Sequence, residues 1–309
     1  MPEPLLEVDN LSVSYLTDTA DIGAVDRVSL TVHAGEFLGI VGESGCGKST
    51  LLFAIAQLLT PPAEITSGRV VFKGQDLVQL TDGELRHVRW RDYSVVMQSA
   101  MNALNPMKSI AAQFKDTMRA HKRMSADAIR TRSTEVLHLV GIDAAHLDSY
   151  PHQLSGGQLQ RLLVARALLM DIEFLVADEI ISMLDASTRI DVLNLLADLK
   201  SRGLGILFIT HDLSLGNYIS DRTVILRRGE IVEMGSTAKV FGNPQHAYTR
   251  MLLAAVPQLH RKWEDVEAEL QARSDEDDAY ARAVAEAETD LLDSTLVELE
   301  PDHLVRRAA

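Results

Sequence analysis

The sequence predicts an α/β fold: a core of buried, mostly parallel strands, an N-terminal β subdomain, an inserted helical subdomain at roughly residues 99–170, and a C-terminal extension. Three observations predict it. A short apolar run at residues 37–41 stands directly before a Gly-rich turn and a helical segment, the pattern of a buried strand in a parallel sheet. Further apolar runs at 174–177 and 205–209 flank a helical pattern at about 186–202, and strand, helix and strand in that order suit a right-handed parallel crossover. Ahead of these runs, residues 108–170 carry helical patterning with few strand signals.

The elements follow in order. Residues 5–15 alternate loosely as a strand, and 27–33 form a second strand candidate before Gly35. The segment from Thr50 to Leu59 reads as a helix that Pro61 and Pro62 stop. Residues 222–226 are a last buried strand, followed by a turn at Arg228, Gly229 and Glu230. Composition changes after Pro257. Residues 261–309 hold 15 acidic and 6 basic residues, so this stretch supplies most of the chain's net charge of -14. Ser274 to Asp278 is a solvated charge run, and the Ala/Glu-rich stretch after it reads as an exposed helix. The division is therefore a domain at residues 1–257 and an acidic extension at 258–309.

With 309 residues, 46% of them hydrophobic and 24% charged, the chain can bury a sizeable core. Its acidic balance argues against nucleic-acid partners, which need a basic face. A single cysteine, Cys46, excludes a disulfide framework and a multi-cysteine metal site within one chain, and fits a reducing, cytoplasmic setting. The first residues lack a signal-peptide pattern. No apolar run approaches the ~18 residues of a membrane span, so a membrane role would be peripheral.

The chemistry is concentrated in three segments. Gly42, Glu43, Ser44, Gly45, Cys46, Gly47, Lys48 and Ser49 match the P-loop pattern between a strand and a helix. Glycines there let successive N–H groups face phosphate oxygens, and the helix N-terminus, with Thr50 in its first turn, adds a favourable dipole. Lys48 is expected to reach the β- and γ-phosphates of ATP, and the Ser49 hydroxyl to ligate Mg²⁺. Cys46 reads as a small tolerated residue. Asp178 and Glu179 close the apolar run at 174–177; Asp178 is placed to hold Mg²⁺ and Glu179 to accept a proton from the attacking water. An Asp-Glu pair after a strand is common on its own. Leu154, Ser155, Gly156, Gly157 and Gln158 form a second anion-binding helix start, although Ser155 is equally a good helix N-cap.

Taken together, the P-loop, Leu-Ser-Gly-Gly-Gln and Asp-Glu, in this order and spacing, resemble the ABC ATPase domain over roughly residues 5–257. The resemblance implies that two such domains close head-to-tail around two ATP molecules, each site joining one subunit's P-loop to the other's Ser155–Gln158 segment. It implies that Tyr15 stacks on adenine, that Gln98 senses Mg²⁺ and the attacking water, that the loop from Ser182 to Asp185 crosses to the opposing subunit, and that His211 contacts the γ-phosphate. Individually, Tyr15 could be an ordinary strand aromatic, Gln98 a surface amide and His211 a structural residue.

The C-terminal part is more specific. Residues 228–235, 240–246 and 248–257 resemble the oligopeptide/dipeptide importer ATPases, and residues 298–305 resemble the close of that family's C-terminal extension. The implied partners are a second, related ATPase subunit, two integral membrane permeases and, indirectly, an extracytoplasmic substrate-binding protein, with the chain at the cytoplasmic face of the membrane. An oligosaccharide importer of the cello- or xylo-oligosaccharide kind is the alternative. A soluble non-transport ABC ATPase and a non-hydrolysing regulatory subunit are more distant readings. Three departures stand out. The extension lacks the cysteine cluster the family often carries, so no iron–sulfur cluster is predicted. Ile180 and Ile181 replace Pro-Thr, with Met183 where Ala is usual. Ser99 and Ala100 follow Gln98 in place of an acidic residue and proline.

Overall fold

The computed structural model describes residues 3–18, 20–97, 103–181, 184–254 and 294–308. The chain opens with β1 (Leu6–Leu16) and β2 (Asp21–Val32), followed by β3 (Phe37–Val41) and α1 (Lys48–Ile55). Next come β4 (Ala63–Phe72), the two-residue β5 (Gln75–Asp76), α2 (Asp82–Val88) and β6 (Tyr93–Val96). Three helices follow: α3 (Ile110–His121), α4 (Ala126–Leu139) and α5 (Gly156–Ala167). The chain then returns through β7 (Phe174–Asp178), α6 (Ala186–Ser201), β8 (Gly205–Thr210), α7 (Leu213–Ile219), β9 (Arg222–Arg227) and β10 (Glu230–Ser236). It ends with α8 (Thr237–Gly242), α9 (Ala247–Ala254), β11 (Ser294–Glu300) and β12 (His303–Ala308).

Two sheets result. The smaller is antiparallel, in the order β2-β1-β4-β5, and is the N-terminal β subdomain. The larger runs β11-β12-β10-β9-β3-β8-β7-β6. Its segment from β9 to β6 is parallel, and β10, β12 and β11 extend it antiparallel. All five residues of β3 are buried, as are all of β7 and β8, because helices or the second sheet cover both faces. Phe37 and Phe208 belong to the core shared with α3, α4 and α5. Leu38, Ile40 and Leu207 belong to the core shared with α1 and the N-terminal sheet. Each fully buried aliphatic or aromatic side chain there contributes roughly 1.5–3 kcal/mol relative to exposure. That double burial explains the continuous apolar runs in the sequence.

Two expectations change in detail. The helix after the P-loop ends at Ile55 rather than Leu59, because Gln57 takes a left-handed φ of 54° and ends the helix before the prolines act. The end of the acidic extension, expected only as a segment resembling the close of the family's extension, is part of the core sheet: residues 294–308 form β11 and β12 and join it against β10. The expected Ala/Glu-rich helix lies outside the described residues.

Candidate nucleotide site

In a parallel sheet, ligands bind beyond the carboxyl ends of the strands. Four strand ends meet here. The P-loop leaves β3, Asp178 and Glu179 close β7, His211 follows β8, and Arg228 and Gly229 follow β9. Lys48, Ser49, Thr50, Ser44, Gly45, Gly47, Tyr15, Glu179, His211, Arg228 and Gly229 line one cleft of about 860 Å³, with Ile22, Gly23 and Ala24 of β2.

The P-loop is held in shape from behind. Gly47 is the N-cap of α1 with φ 105°, and a Cβ there would strike the Ala24 carbonyl. Only glycine combines that left-handed backbone with that close approach. Lys48 is buried, and its Nζ donates to the carbonyls of Gly42 at 2.7 Å and Glu43 at 2.6 Å. Cys46 is buried behind the loop; burial pushes its thiol pKa up, against the opposing pull of Lys48. Ser49 is exposed toward the cleft. Tyr15 is half-buried on β1, and its hydroxyl shares a 3.0 Å hydrogen bond with the Thr50 hydroxyl.

The acidic pair is divided by environment. Asp178 is 6% exposed, and its Oδ1 is buried with no hydrogen-bond partner among the described residues. Burial first, and the neighbouring Glu179 charge second, push its pKa up to about 6 against the pull of Lys48. Glu179 turns out of the strand with φ 47°, a conformation rare for a non-glycine residue and found at functional sites. Its N–H donates to the Ile209 carbonyl at 2.9 Å. Its Oε1 lies 2.9 Å from Nδ1 of His211. The two residues singled out from different strands therefore meet.

Ser155, Gly156, Gly157 and Gln158 do not line this cleft. They start α5 as a capping box: the Gln158 N–H donates to Ser155 Oγ at 3.3 Å, and the Ser155 N–H donates to Gln158 Oε1 at 2.9 Å. Ser155 and Gly156 are exposed. A Cβ on Gly157 would run into the Thr188 side chain of α6, so this glycine also lets two helices approach. Asp185 caps α6, accepting from the Thr188 N–H at 3.0 Å and from the hydroxyls of Ser187 and Thr188 at 2.6 and 2.8 Å. Ser187 first, then Thr188, hold its carboxyl well below the usual carboxylate range. Gln98, Ser99, Ala100, Ser182 and Met183 lie outside the described residues.

Arg228, Gly229 and the β2 residues Ile22, Gly23 and Ala24 were not anticipated as cleft residues. The signal was available for the first two: they form a Gly-containing turn at the carboxyl end of a buried strand.

The model of the ABC transporter family matches residues 25–182. The chain belongs to the ABC transporter family. The oligopeptide/dipeptide transporter C-terminal region matches residues 232–281. The dipeptide transport ATP-binding protein DppD of Bacillus subtilis is 40% identical over 261 residues, covering 83% of this chain and 78% of that protein. The oligopeptide transport ATP-binding protein OppD of the same organism is 37% identical over 265 residues, covering 84% and 74%. The peptidoglycan transport ATP-binding protein YejF of Agrobacterium fabrum is 42% identical over 259 residues; the match spans 82% of this chain but 47% of that protein. Among solved structures, the dimeric post-hydrolysis state of the ATP-binding cassette MJ0796 bound to ADP and Pi superposes with a TM-score of 0.67. That likeness is at 29% identity and covers 75% of this chain and 98% of that one. This ABC cassette binds ATP and is an ATPase coupled to transport. Among the described residues no helix is long and apolar enough to cross a membrane.

Proposed function

We propose that this chain is the ATP-hydrolysing subunit of an importer of dipeptides or oligopeptides. A cassette at residues 1–257 and an extension at 258–309 would sit peripherally at the cytoplasmic face of the membrane. There the chain works with a second, related cassette and two permeases, which receive cargo from an extracytoplasmic substrate-binding protein. The observation that carries the chemistry is the convergence of Lys48, Glu179 and His211 on one cleft, with the buried Asp178 beside Glu179 at the end of β7. The match to the oligopeptide/dipeptide C-terminal region supports the peptide cargo, as do relatives named for dipeptide and oligopeptide transport.

Within the cleft, P-loop amides and Lys48 hold the ATP phosphates, and Tyr15 offers its ring to the adenine. Ser49 and Asp178 would hold Mg²⁺. Their hard oxygen donors suit that ion, and the buried Asp178 Oδ1 is an acceptor without a partner among the described residues. Bound Mg²⁺ supplies neutralisation of phosphate charge. Glu179 accepts the proton of the attacking water, and Nδ1 of His211 steadies the carboxylate at 2.9 Å. His211, exposed at the cleft, is free to turn to the γ-phosphate. Gln98 has its proposed role from the family pattern alone. The Ser155–Gln158 helix start, lying away from this cleft, serves the partner cassette's ATP, with Asp185 beside that junction.

Peptide uptake by the native host tests the cargo. Removing this chain is expected to abolish uptake of a labelled dipeptide or oligopeptide, with rescue by the native sequence and not by Lys48→Ala. Unchanged peptide uptake with lost cello-oligosaccharide uptake would sink the peptide reading and leave the ATPase reading standing.

A further inference from the structure

The C-terminal side of the cassette reaches the P-loop from behind. Glu233 of β10 is fully buried, and its carboxylate accepts the N–H groups of Gln245 at 2.8 Å and His246 at 2.9 Å. Those bonds fix the chain where it enters α9. One residue into α9 stands Tyr248, 2% exposed, in a small core with Val41, the last residue before the P-loop. The guanidinium of Arg227 covers its ring at 5.0 Å, a cation–π contact that fixes the ring plane. The Glu43 N–H donates to the Tyr248 hydroxyl at 3.4 Å. The carbonyl of the same residue accepts from Lys48 Nζ at 2.6 Å. A second tie lies beside it: the Gly229 N–H donates to the Cys46 carbonyl at 2.8 Å. By contrast, the space a Cβ would occupy at Gly45 is open. The loop is thus anchored on its rear side and open toward the cleft.

We propose that Tyr248 is a positioning residue for the nucleotide site: its hydroxyl, aimed by α9 and Arg227, fixes the Glu43 peptide and, through that residue's carbonyl, the Lys48 ammonium. This rests on the assignment of Gly42–Ser49 as the phosphate cradle. Burial pushes the Tyr248 phenol up to about 12, so the hydroxyl stays neutral at physiological pH. A loop held in its binding shape before the ligand arrives loses less freedom on binding. The C-terminal region that marks this subfamily then acts on ATP affinity as well as packing against the cassette.

The test uses the full chain and a fluorescent N-methylanthraniloyl derivative of ATP with Mg²⁺. Tyr248→Phe keeps the ring and removes the hydroxyl; it is expected to weaken binding about 3- to 10-fold, the scale of one net hydrogen bond. Arg227→Gln leaves the hydroxyl but uncovers the ring and should weaken binding in the same direction. In the assembled transporter, the loss in kcat/KM for ATP should be carried by KM. Unchanged affinity in Tyr248→Phe would overturn the proposal, as would a loss carried by kcat together with a lowered melting temperature. If Tyr248→Phe does not fold, Arg227→Gln decides, and native affinity there overturns it. Lys48→Ala separates the two levels. If the native chain binds no nucleotide, or Lys48→Ala binds as tightly as the native chain, the P-loop assignment itself fails. If Lys48→Ala loses binding while Tyr248→Phe keeps it, only the role of Tyr248 fails.

Discussion

Replacing His303 by Ala should unseat the C-terminal hairpin, and the structure sets the size of the effect. His303 of β12 and Glu233 of β10 are both fully buried, with Nε2 and Oε1 2.8 Å apart. A hydrogen bond to an ionisable group contributes about 1.5–3 kcal/mol net, and breaking a buried acid–base pair costs up to about 3–5 kcal/mol. Glu233 would keep the amides of Gln245 and His246, which places the loss for His303→Ala near the lower range, about 2–4 kcal/mol. For a chain of 309 residues that is a fall in Tm of roughly 3–6 °C. Thermal and denaturant unfolding measure it, with Arg307→Ala, an exposed change on the same strand, as the control near zero. A double-mutant cycle with Glu233→Gln should return a coupling above ~0.5 kcal/mol. A loss no larger than the control's, or additive single changes, would refute the claim that this pair fastens the hairpin. With His303 on Glu233, and Glu233 seating α9, deletion of residues 261–309 should weaken ATP binding.

Three further outcomes are expected. Gly47→Ala forces a left-handed backbone on a Cβ aimed at the Ala24 carbonyl. It should cost roughly 1–3 kcal/mol and most nucleotide affinity, read by unfolding and by titration. Burial holds His246 down at about 4, below the ordinary ~6.5. The unfolded chain therefore binds more protons between these values, and stability should fall as pH drops from about 6.5 to 4, by at most ~3 kcal/mol. His246→Gln should flatten that slope in unfolding measured across pH. Asp185→Ala removes a helix N-cap and should cost about 0.5–2 kcal/mol. Asp185→Ser restores the cap, so ATPase activity that stays low in Asp185→Ser while Tm recovers would place Asp185 in the inter-subunit site.

What the sequence made legible was what double burial and motif spacing record. Residues 37–41 were legible to the residue, because helices and a second sheet leave no polar position in that strand. The P-loop and the Asp178–Glu179 pair were legible from residue type and spacing, and His211 only from the family resemblance; the fold brings Lys48, Glu179 and His211 to one cleft. β2 starts at Asp21, earlier than residue 27, because its first residues are largely exposed and break alternation. β4 was not anticipated; Gly68 interrupts it at φ 90° where the backbone packs on Asn10. β11 and β12 were hidden within an acidic stretch, since their burial depends on β10, some 70 residues earlier in the chain. The Tyr248 contact with Glu43 was invisible for the same reason: residues 205 positions apart meet only in the fold.

We propose that Glu179 is the group that takes the proton from water when this cassette hydrolyses ATP. Glu179→Gln keeps the shape of the side chain and removes the basic carboxylate. In the assembled transporter it should lower ATP turnover at its site by about 10²- to 10⁴-fold, while ATP binding is retained and the ATP-bound pair of cassettes accumulates. Turnover equal to that of the native complex would show that Glu179 is not the group that takes the proton.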